Sequence, residues 1–355
     1  MGTRLRPLTL AAPKQMLPIV EVPMIERVLA HLAAHGVKEA VLSLGYRPDA
    51  FLTQFPDQRA GDVSLQYAVE PEALGTAGAI RFAAQAAGID ETFLAVNGDV
   101  LTDLDVTALV DFHQQWSAEG TIALTRVEDP SAYGLVPTGP DGRVTAFVEK
   151  PLPQETVTGA VNAGTYVLEP SVLDRIPEGR AVSIEREVFP PMAEDRRLFG
   201  VASDSYWIDA GTPAQYLQAQ LDLLSGRRPP PPAPGARLWD GSSVGTVWIV
   251  GESVIDGRMT GTSLVGTAAY IQKGAWVEDS VVGAGTRVAH DAEVRASVLL
   301  PGCAVHAGAV VDGSIVGEGA VIGSGARLSG LTVVGPGVTV ADYERLYGVK
   351  LPVGG

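Results

Sequence analysis

Two guanidinium groups stand close together at the start of the chain in Gly2-Thr3-Arg4-Leu5-Arg6, and an ammonium group follows in Pro13-Lys14-Gln15-Met16. Fixed cations beside a small-residue backbone suit the oxyanions of a triphosphate, with arginine binding as a fork and lysine as a point charge. A second chemical signal is Asp99, which closes the run Phe93-Leu94-Ala95-Val96-Asn97-Gly98-Asp99. A carboxylate at the end of an apolar strand can hold a hard divalent cation over phosphates, although aspartate also serves there as a plain turn residue.

These groups need a scaffold. Residues 19–224 alternate apolar runs with helix-like stretches: 25–32 has helical apolar spacing, while 40–44 and 93–96 read as short buried strands. The alternation predicts a mainly parallel sheet with crossover connections, and ligands of such sheets bind beyond the strands' carboxyl ends, where the turn after Val96 lies. The proline-rich stretch 225–237 predicts an extended linker, because proline supplies no amide hydrogen and pins φ. From about 248 to 340 the texture changes to glycine-rich units, such as Val281-Val282-Gly283-Ala284-Gly285-Thr286 and Val321-Ile322-Gly323-Ser324-Gly325-Ala326. Their period of about six predicts a parallel β-helix, each rung burying an aliphatic residue. Glu278-Asp279-Ser280 and Asp312-Gly313-Ser314 read as insertions between units. The expected domains are 1–224, the linker 225–237, and a solenoid with its tail over 238–355.

Composition narrows the partners. The chain has 355 residues, enough for two domains, and a formal net charge of −15. That charge argues against nucleic acid and anionic membranes, so a phosphorylated substrate must meet locally gathered cations or a bound metal. No apolar run approaches the roughly 18 residues that cross a bilayer. The single cysteine, Cys303, can form no internal disulfide, and the first residues lack a secretory layout; both predict a cytoplasmic protein. The solenoid's flat faces and end rungs predict a homo-oligomer.

Read in order, Gly2-Thr3-Arg4-Leu5, Pro13-Lys14, Gly75-Thr76-Ala77-Gly78, Asn97-Gly98-Asp99, Phe147-Val148-Glu149-Lys150-Pro151, Val161-Asn162-Ala163-Gly164 and Trp207-Ile208-Asp209-Ala210-Gly211-Thr212-Pro213 resemble the sugar-phosphate nucleotidyltransferases, or NDP-sugar pyrophosphorylases. The bacterial enzymes that join GTP to mannose-1-phosphate are the nearest branch, with glucose-1-phosphate nucleotidyltransferases close behind. The resemblance implies a Rossmann-like α/β domain with a mixed, mostly parallel sheet, followed by a left-handed parallel β-helix of hexapeptide repeats. It also implies in-line attack of a hexose-1-phosphate on the α-phosphorus of a nucleoside triphosphate, assisted by Mg²⁺, with release of pyrophosphate.

By the same resemblance Arg4 and Lys14 are catalytic, and Asp99 and Asp209 hold the metal. Gly2, Thr3, Glu70, Gly75, Thr76 and Asn97 bind the nucleotide, with Glu70 or Glu72 able to accept from a guanine edge. Gly134, Glu149, Lys150 and Asn162 bind the sugar phosphate. Arg6 stays a loop residue near phosphate, and Thr76 reads equally as the cap of a helix starting near Ala77. The family's loop is Gly-Gly-x-Gly-Thr-Arg after an aliphatic strand, whereas here the record opens at Met1-Gly2, so the expectation is a start placed a few residues late. Two other classes stay open: a non-catalytic, nucleotide-sugar-binding regulator, and a hexapeptide acyltransferase using His290 or His306. His31, His35, His113 and Cys303 are expected to be structural.

Overall fold

The computed structural model describes residues 2–45, 48–127, 129–130, 133–149, 159–229, 231–241 and 243–352. The chain divides into two compact units, one of residues 28–207 and the other of residues 1–27 with 208–355. No helix among the described residues is long and apolar enough to cross a membrane.

In the unit 28–207, strands β1 (Glu39–Leu44) and β2 (Val63–Val69) run parallel. Helix α1 (Gly75–Ala87), strand β3 (Phe93–Val96) and helix α2 (Val106–Gln115) follow. Then come β4 (Gly120–Arg126), β5 (Gly134–Leu135), β6 (Val148–Glu149), β7 (Ala160–Leu168) and β8 (Leu198–Ser203). The main sheet has the order β6-β5-β7-β4-β8, with β3 also paired to β7. β8 is parallel to β4, but β7 runs antiparallel to both β3 and β4, so the sheet is mixed.

Alternation along the strands feeds two cores. Ile122, Leu124, Tyr166 and Leu168 pack with Phe189, Met192 and Leu198, while Ala123 and Val167 pack with Leu109. Both faces of β4 and β7 are therefore covered. Local signals set the helix ends. The Asp105 carboxylate accepts from Ala108 N at 2.9 Å to start α2, and Gly88, at φ 67°, turns the chain out of α1. His113 is buried between Thr121 Oγ1 and Glu169 Oε1, each at 2.9 Å, in the structural role expected.

The other unit contains the cationic N-terminal loop, a hairpin of Pro18–Ile19 with Val22–Pro23, helix α3 (Pro213–Leu224) and the solenoid. Thr212 caps α3 and Pro213 occupies its first turn. The stretch after α3 folds into turns rather than an extended linker. Prolines lack donors but keep strong acceptors: Arg27 Nη2 donates to Pro232 O at 2.7 Å, and Ala233 is buried. Burial foremost, and then the Arg228 charge, lowers the pKa of Arg27 to about 10.

In the solenoid, equivalent residues recur about every 17 positions, roughly three hexapeptides per turn. Val277, Val294, Val311 and Leu328 form one buried column, Ile271, Val288, Val305 and Ile322 a second, and Val282, Leu299, Val316 and Val334 a third. Each such side chain contributes on the order of 1.5–3 kcal/mol by burial. Cys303 stacks above Thr286 in a column of small residues, and burial raises its thiol to about 12, as a packing role requires.

The stretches read as insertions are regular corners. Asp279 and Gly313 take φ 45° and 54°, turning the chain, and the serine that follows points inward. Ser263, Ser280, Ser297 and Ser314 form a ladder in which each hydroxyl oxygen accepts the backbone N–H of the serine one turn later, at 3.0–3.1 Å. The Ser297 hydroxyl also donates to Arg295 O at 2.6 Å. Ser297→Ala would strand the buried Ser314 N–H, at a cost of about 1–3 kcal/mol. A lowered melting temperature of the intact chain is expected; an unchanged one would remove the ladder's energetic role.

The hairpin tip is unusual, because Val20 and Glu21 both lie in the left-handed region, at φ 48° and 65°. That geometry suits a two-residue hairpin but disfavours a β-branched residue. Neighbours impose it: Val20 N donates to Gln220 Oε1 at 2.6 Å, and Arg27 donates to the carbonyls of Ile19 and Val20. Glu21 Oε1 accepts from Ala284 N at 3.3 Å on the solenoid. Burial raises the Glu21 pKa above its ordinary 4.5, with the Ala284 bond partly opposing. A raised carboxyl favours the fold fully below the unfolded value and loses that contribution as pH rises through the folded value. Glu21→Gln keeps an acceptor for Ala284, so it should match the parent's melting temperature at about pH 4 and exceed it increasingly toward pH 7. Parallel curves across that range would refute this.

Candidate functional site

The N-terminal loop is a series of short 3₁₀ turns, Thr3–Leu5, Leu8–Leu10 and Lys14–Met16, pinned by the fully buried side chains of Leu5 and Leu8. Thr9 Oγ1 donates to Gly2 O at 2.7 Å. A Cβ on Gly2 would stand 3.0 Å from Thr9 Cγ2 and 3.3 Å from Lys14 Cβ, so Lys14 is folded back beside the loop's start. Arg4 Nη2 lies 3.7 Å from Asp209 Oδ2; the arginine side chain is 61% exposed and the aspartate 16%. A Cβ on Gly211 would fall 2.7 Å from Asp209 Oδ1 and 2.8 Å from Arg4 Nη2, so a larger residue there would push the two side-chain ends aside. Gly2, Thr3, Arg4, Lys14 and Asp209, far apart in sequence, thus belong to one unit. An exposed ion pair contributes little to stability, so the significance of this one is positional.

Asp209 offers hard carboxylate oxygens at the edge of this loop, and Gly211 leaves space beside one of them. No group of three or more His, Cys, Asp or Glu able to hold a metal occurs among the described residues. A Mg²⁺ that uses one or two carboxylates and completes its shell with phosphate and water fits such a donor set, whereas a cation needing an all-protein cage does not.

The second cluster lies in the other unit. β7 is irregular between Asn162 and Tyr166 in its pairing with β4, a bulge at Ala163 and Gly164. Asn162 Oδ1 accepts from Gly164 N and Asn162 Nδ2 donates to Tyr166 Oη, each at 2.9 Å. Asn97 N donates to Gly164 O at 2.8 Å, and Gly164 takes φ 76° with its missing Cβ position only 2.5 Å from Asn97 Nδ2. Trp207 Nε1 donates to Ala163 O at 2.9 Å, and Tyr133 meets the Trp207 ring edge-on with centroids 5.4 Å apart. Gly134 is paired with Glu149 across β5 and β6, and the next residue, Leu135, with Val161. Asn97, Gly134, Glu149 and Asn162 therefore sit along adjoining strands. Asp99 is buried in the turn that follows Asn97. Lys150 lies outside the described residues, and Glu149 is described through its backbone.

The segment at Glu70–Gly78 is held by bonds within its own unit. Glu70 accepts from Ser43 Oγ at 2.9 Å and from Leu74 N at 3.2 Å, which fixes the turn into α1. Gly75 has φ 71°, and a Cβ there would lie 2.6 Å from Val182 O, so the protein's own backbone takes up the close approach. Thr76 is not a cap: α1 starts one residue earlier, and Thr76 Oγ1 donates to Glu185 Oε2 and accepts from Ile184 N, both at 2.9 Å. His290 and His306 are exposed, the former 3.2 Å from Asp291 Oδ2. Thr9, Tyr133 and Tyr166 are supports that sequence reasoning missed; a glycine inside the strand-like run at 160–168 was the available sign of the bulge.

Comparison with known proteins follows this geometry. Residues 1–226 match the family described as nucleotidyl transferase, and residues 259–351 match the GMPPB C-terminal domain. A mannose-1-phosphate guanylyltransferase of Mycobacterium tuberculosis is 40% identical over 295 residues, covering 81% of this chain and 78% of that protein. A probable mannose-1-phosphate guanylyltransferase 2 of Oryza sativa subsp. japonica is 35% identical over 322 residues, covering 84% and 88%. The crystal structure of HddC from Yersinia pseudotuberculosis complexed with GMP-PN is similar with a TM-score of 0.52 and 27% identity, covering 62% of this chain and 94% of that one.

Gly164→Ala tests the bulge. The new methyl group meets Asn97 at a φ unsuited to alanine, at a cost of about 1–3 kcal/mol. A lower melting temperature is expected; an unchanged one would show that the bulge relaxes freely.

Proposed function

This chain belongs to the nucleotidyl transferase family, and from that premise we propose that it joins GTP to mannose-1-phosphate, forming GDP-mannose and pyrophosphate. The observation that carries the proposal is the pairing of Arg4 with Asp209 beside Gly211, with Lys14 folded against Gly2. The names of the relatives and the GMP-PN in the HddC structure support the choice of base and hexose.

A phosphate oxygen of the sugar phosphate attacks the α-phosphorus in line as the bond to the β-phosphate oxygen breaks, and the electron pair leaves with pyrophosphate. Two anions must approach, so alignment and charge neutralisation dominate the barrier. Arg4 and Lys14 meet the charge gathering on the leaving phosphates, while the Gly2 and Thr3 amides cradle their oxygens. Asn97, Glu70, Gly75 and Thr76 line the nucleotide; Glu70 and Thr76 do so by fixing the turn and the helix start that carry it. Gly134, Glu149, Lys150 and Asn162 hold the hexose phosphate, with the bulge presenting the asparagine. Mg²⁺, held by Asp99 and Asp209, would supply the Lewis acidity that spreads charge over the phosphates. The proposal includes a catalytic domain over 1–224, a solenoid over 238–355, a cytoplasmic setting and a homo-oligomer.

Purified protein with GTP, mannose-1-phosphate and Mg²⁺ should release pyrophosphate, detected by a coupled assay. Asp209→Asn should lower kcat by about 100-fold or more while leaving the melting temperature close to the parent's. Failure of the parent to release pyrophosphate with any nucleotide and hexose-1-phosphate would overturn the assignment.

A further inference from the structure

Arg4 is held at two places. Its guanidinium faces Asp209, and its carbonyl oxygen accepts a hydrogen bond of 3.1 Å from Lys350 Nζ. Lys350 belongs to the strand Lys350–Leu351 on the solenoid's last turn, paired in parallel with Val333–Val334. The same end of the solenoid meets the loop again at Pro7: a Cβ on Gly335 would stand 3.0 Å from Pro7 Cβ and 2.9 Å from Leu351 O, so a glycine lets the two backbones close. Gly335 N in turn donates to Leu351 O at 2.7 Å, tying that glycine to the strand that carries Lys350.

Leu5 and Leu8 anchor the loop's floor, but the backbone at Arg4 lies in short turns. Its 3₁₀ turns close on single backbone bonds, Leu5 N to Gly2 O and Arg6 N to Thr3 O, each at 3.2 Å. Such turns have poor hydrogen-bond geometry and shift readily, whereas a displacement of about 1 Å in a group that meets developing charge costs on the order of 100-fold in rate. A charge-assisted bond to the carbonyl of the arginine itself fixes the backbone from which that side chain projects.

We propose that Lys350 is a positioning residue for nucleotidyl transfer. The last turn of the solenoid, through its ammonium group on Arg4 O and through Gly335 against Pro7, holds the phosphate loop so that Arg4 meets the transferring phosphates. The inference rests on the transferase reading above, and it gives the solenoid a direct part in the chemistry of the chain that bears it.

The test uses the full chain with GTP and mannose-1-phosphate. Lys350→Met should lower kcat about tenfold, with the KM for mannose-1-phosphate and the melting temperature unmoved, because the loss concerns placement and not the hexose site or the fold. Lys350→Arg, which keeps a cationic donor, should recover most of the parent's kcat. Lys273→Met, the same charge change at an exposed solenoid lysine, should behave as the parent. A Lys350→Met enzyme within twofold of an active parent would overturn the inference while leaving the transferase reading intact. So would a loss that Lys350→Arg does not repair, or that follows a fall in melting temperature. A parent that never releases pyrophosphate would overturn the transferase reading, and this inference with it.

Discussion

A guanidinium and a carboxylate 3.7 Å apart, with Gly211 leaving room beside both, form the contact that places the cation of the N-terminal loop. The pair is too exposed to stabilise much, but it decides where a cation stands. In a chain with a formal charge of −15, an incoming phosphate is repelled by most of the surface and attracted only where cations are concentrated. Local cationic geometry therefore matters more than overall charge. Leu5 and Leu8 bury to fix the loop's floor, Thr9 ties its start, and Lys14 returns to the same spot.

The same economy operates at the bulge in β7. One irregularity in the strand lets Asn162 bond both the backbone of Gly164 and the hydroxyl of Tyr166, while the regular pairing with β3 sets Gly164 against Asn97. An indole and a tyrosine ring support the bulge from one side. The irregularity is confined to the β4 side: toward β3 the register runs unbroken from Leu168 opposite Phe93 to Thr165 opposite Val96, and the bond from Asn97 N to Gly164 O continues it.

Much of this was legible in the sequence where the physics is local or periodic. The strand at 93–96 and the aliphatic columns of the solenoid follow from the spacing of apolar residues. The antiparallel course of β7 was not legible, because pairing direction depends on partners 34 or more residues away. Thr76 looked like a cap because threonine caps helices; only the backbone at 184, which no local pattern announces, shows its actual partner. Nor could spacing reveal that residues 1–27 belong with the solenoid's unit, since the bonds of Glu21 to Ala284 and of Lys350 to Arg4 span most of the chain. The segments taken for insertions were misread because a corner needs a left-handed residue, and Asp279 supplies it without being glycine.

The serine ladder has a polarity, since the hydroxyls of Ser280 and Ser297 each receive a backbone N–H from the later turn and give their shortest bond to a carbonyl of their own. Such a stack can gain or lose whole turns without disturbing its neighbours, but a single added residue must be absorbed at a bend. The chain does this at 330–332: Gly330 and Leu331 are both left-handed, and Thr332 hands its hydroxyl to Ser329 O at 2.7 Å in its own bend. The spacing between equivalent residues thus steps from 17, at Val311 and Leu328, to 18, at Val316 and Val334, without breaking the columns on either side.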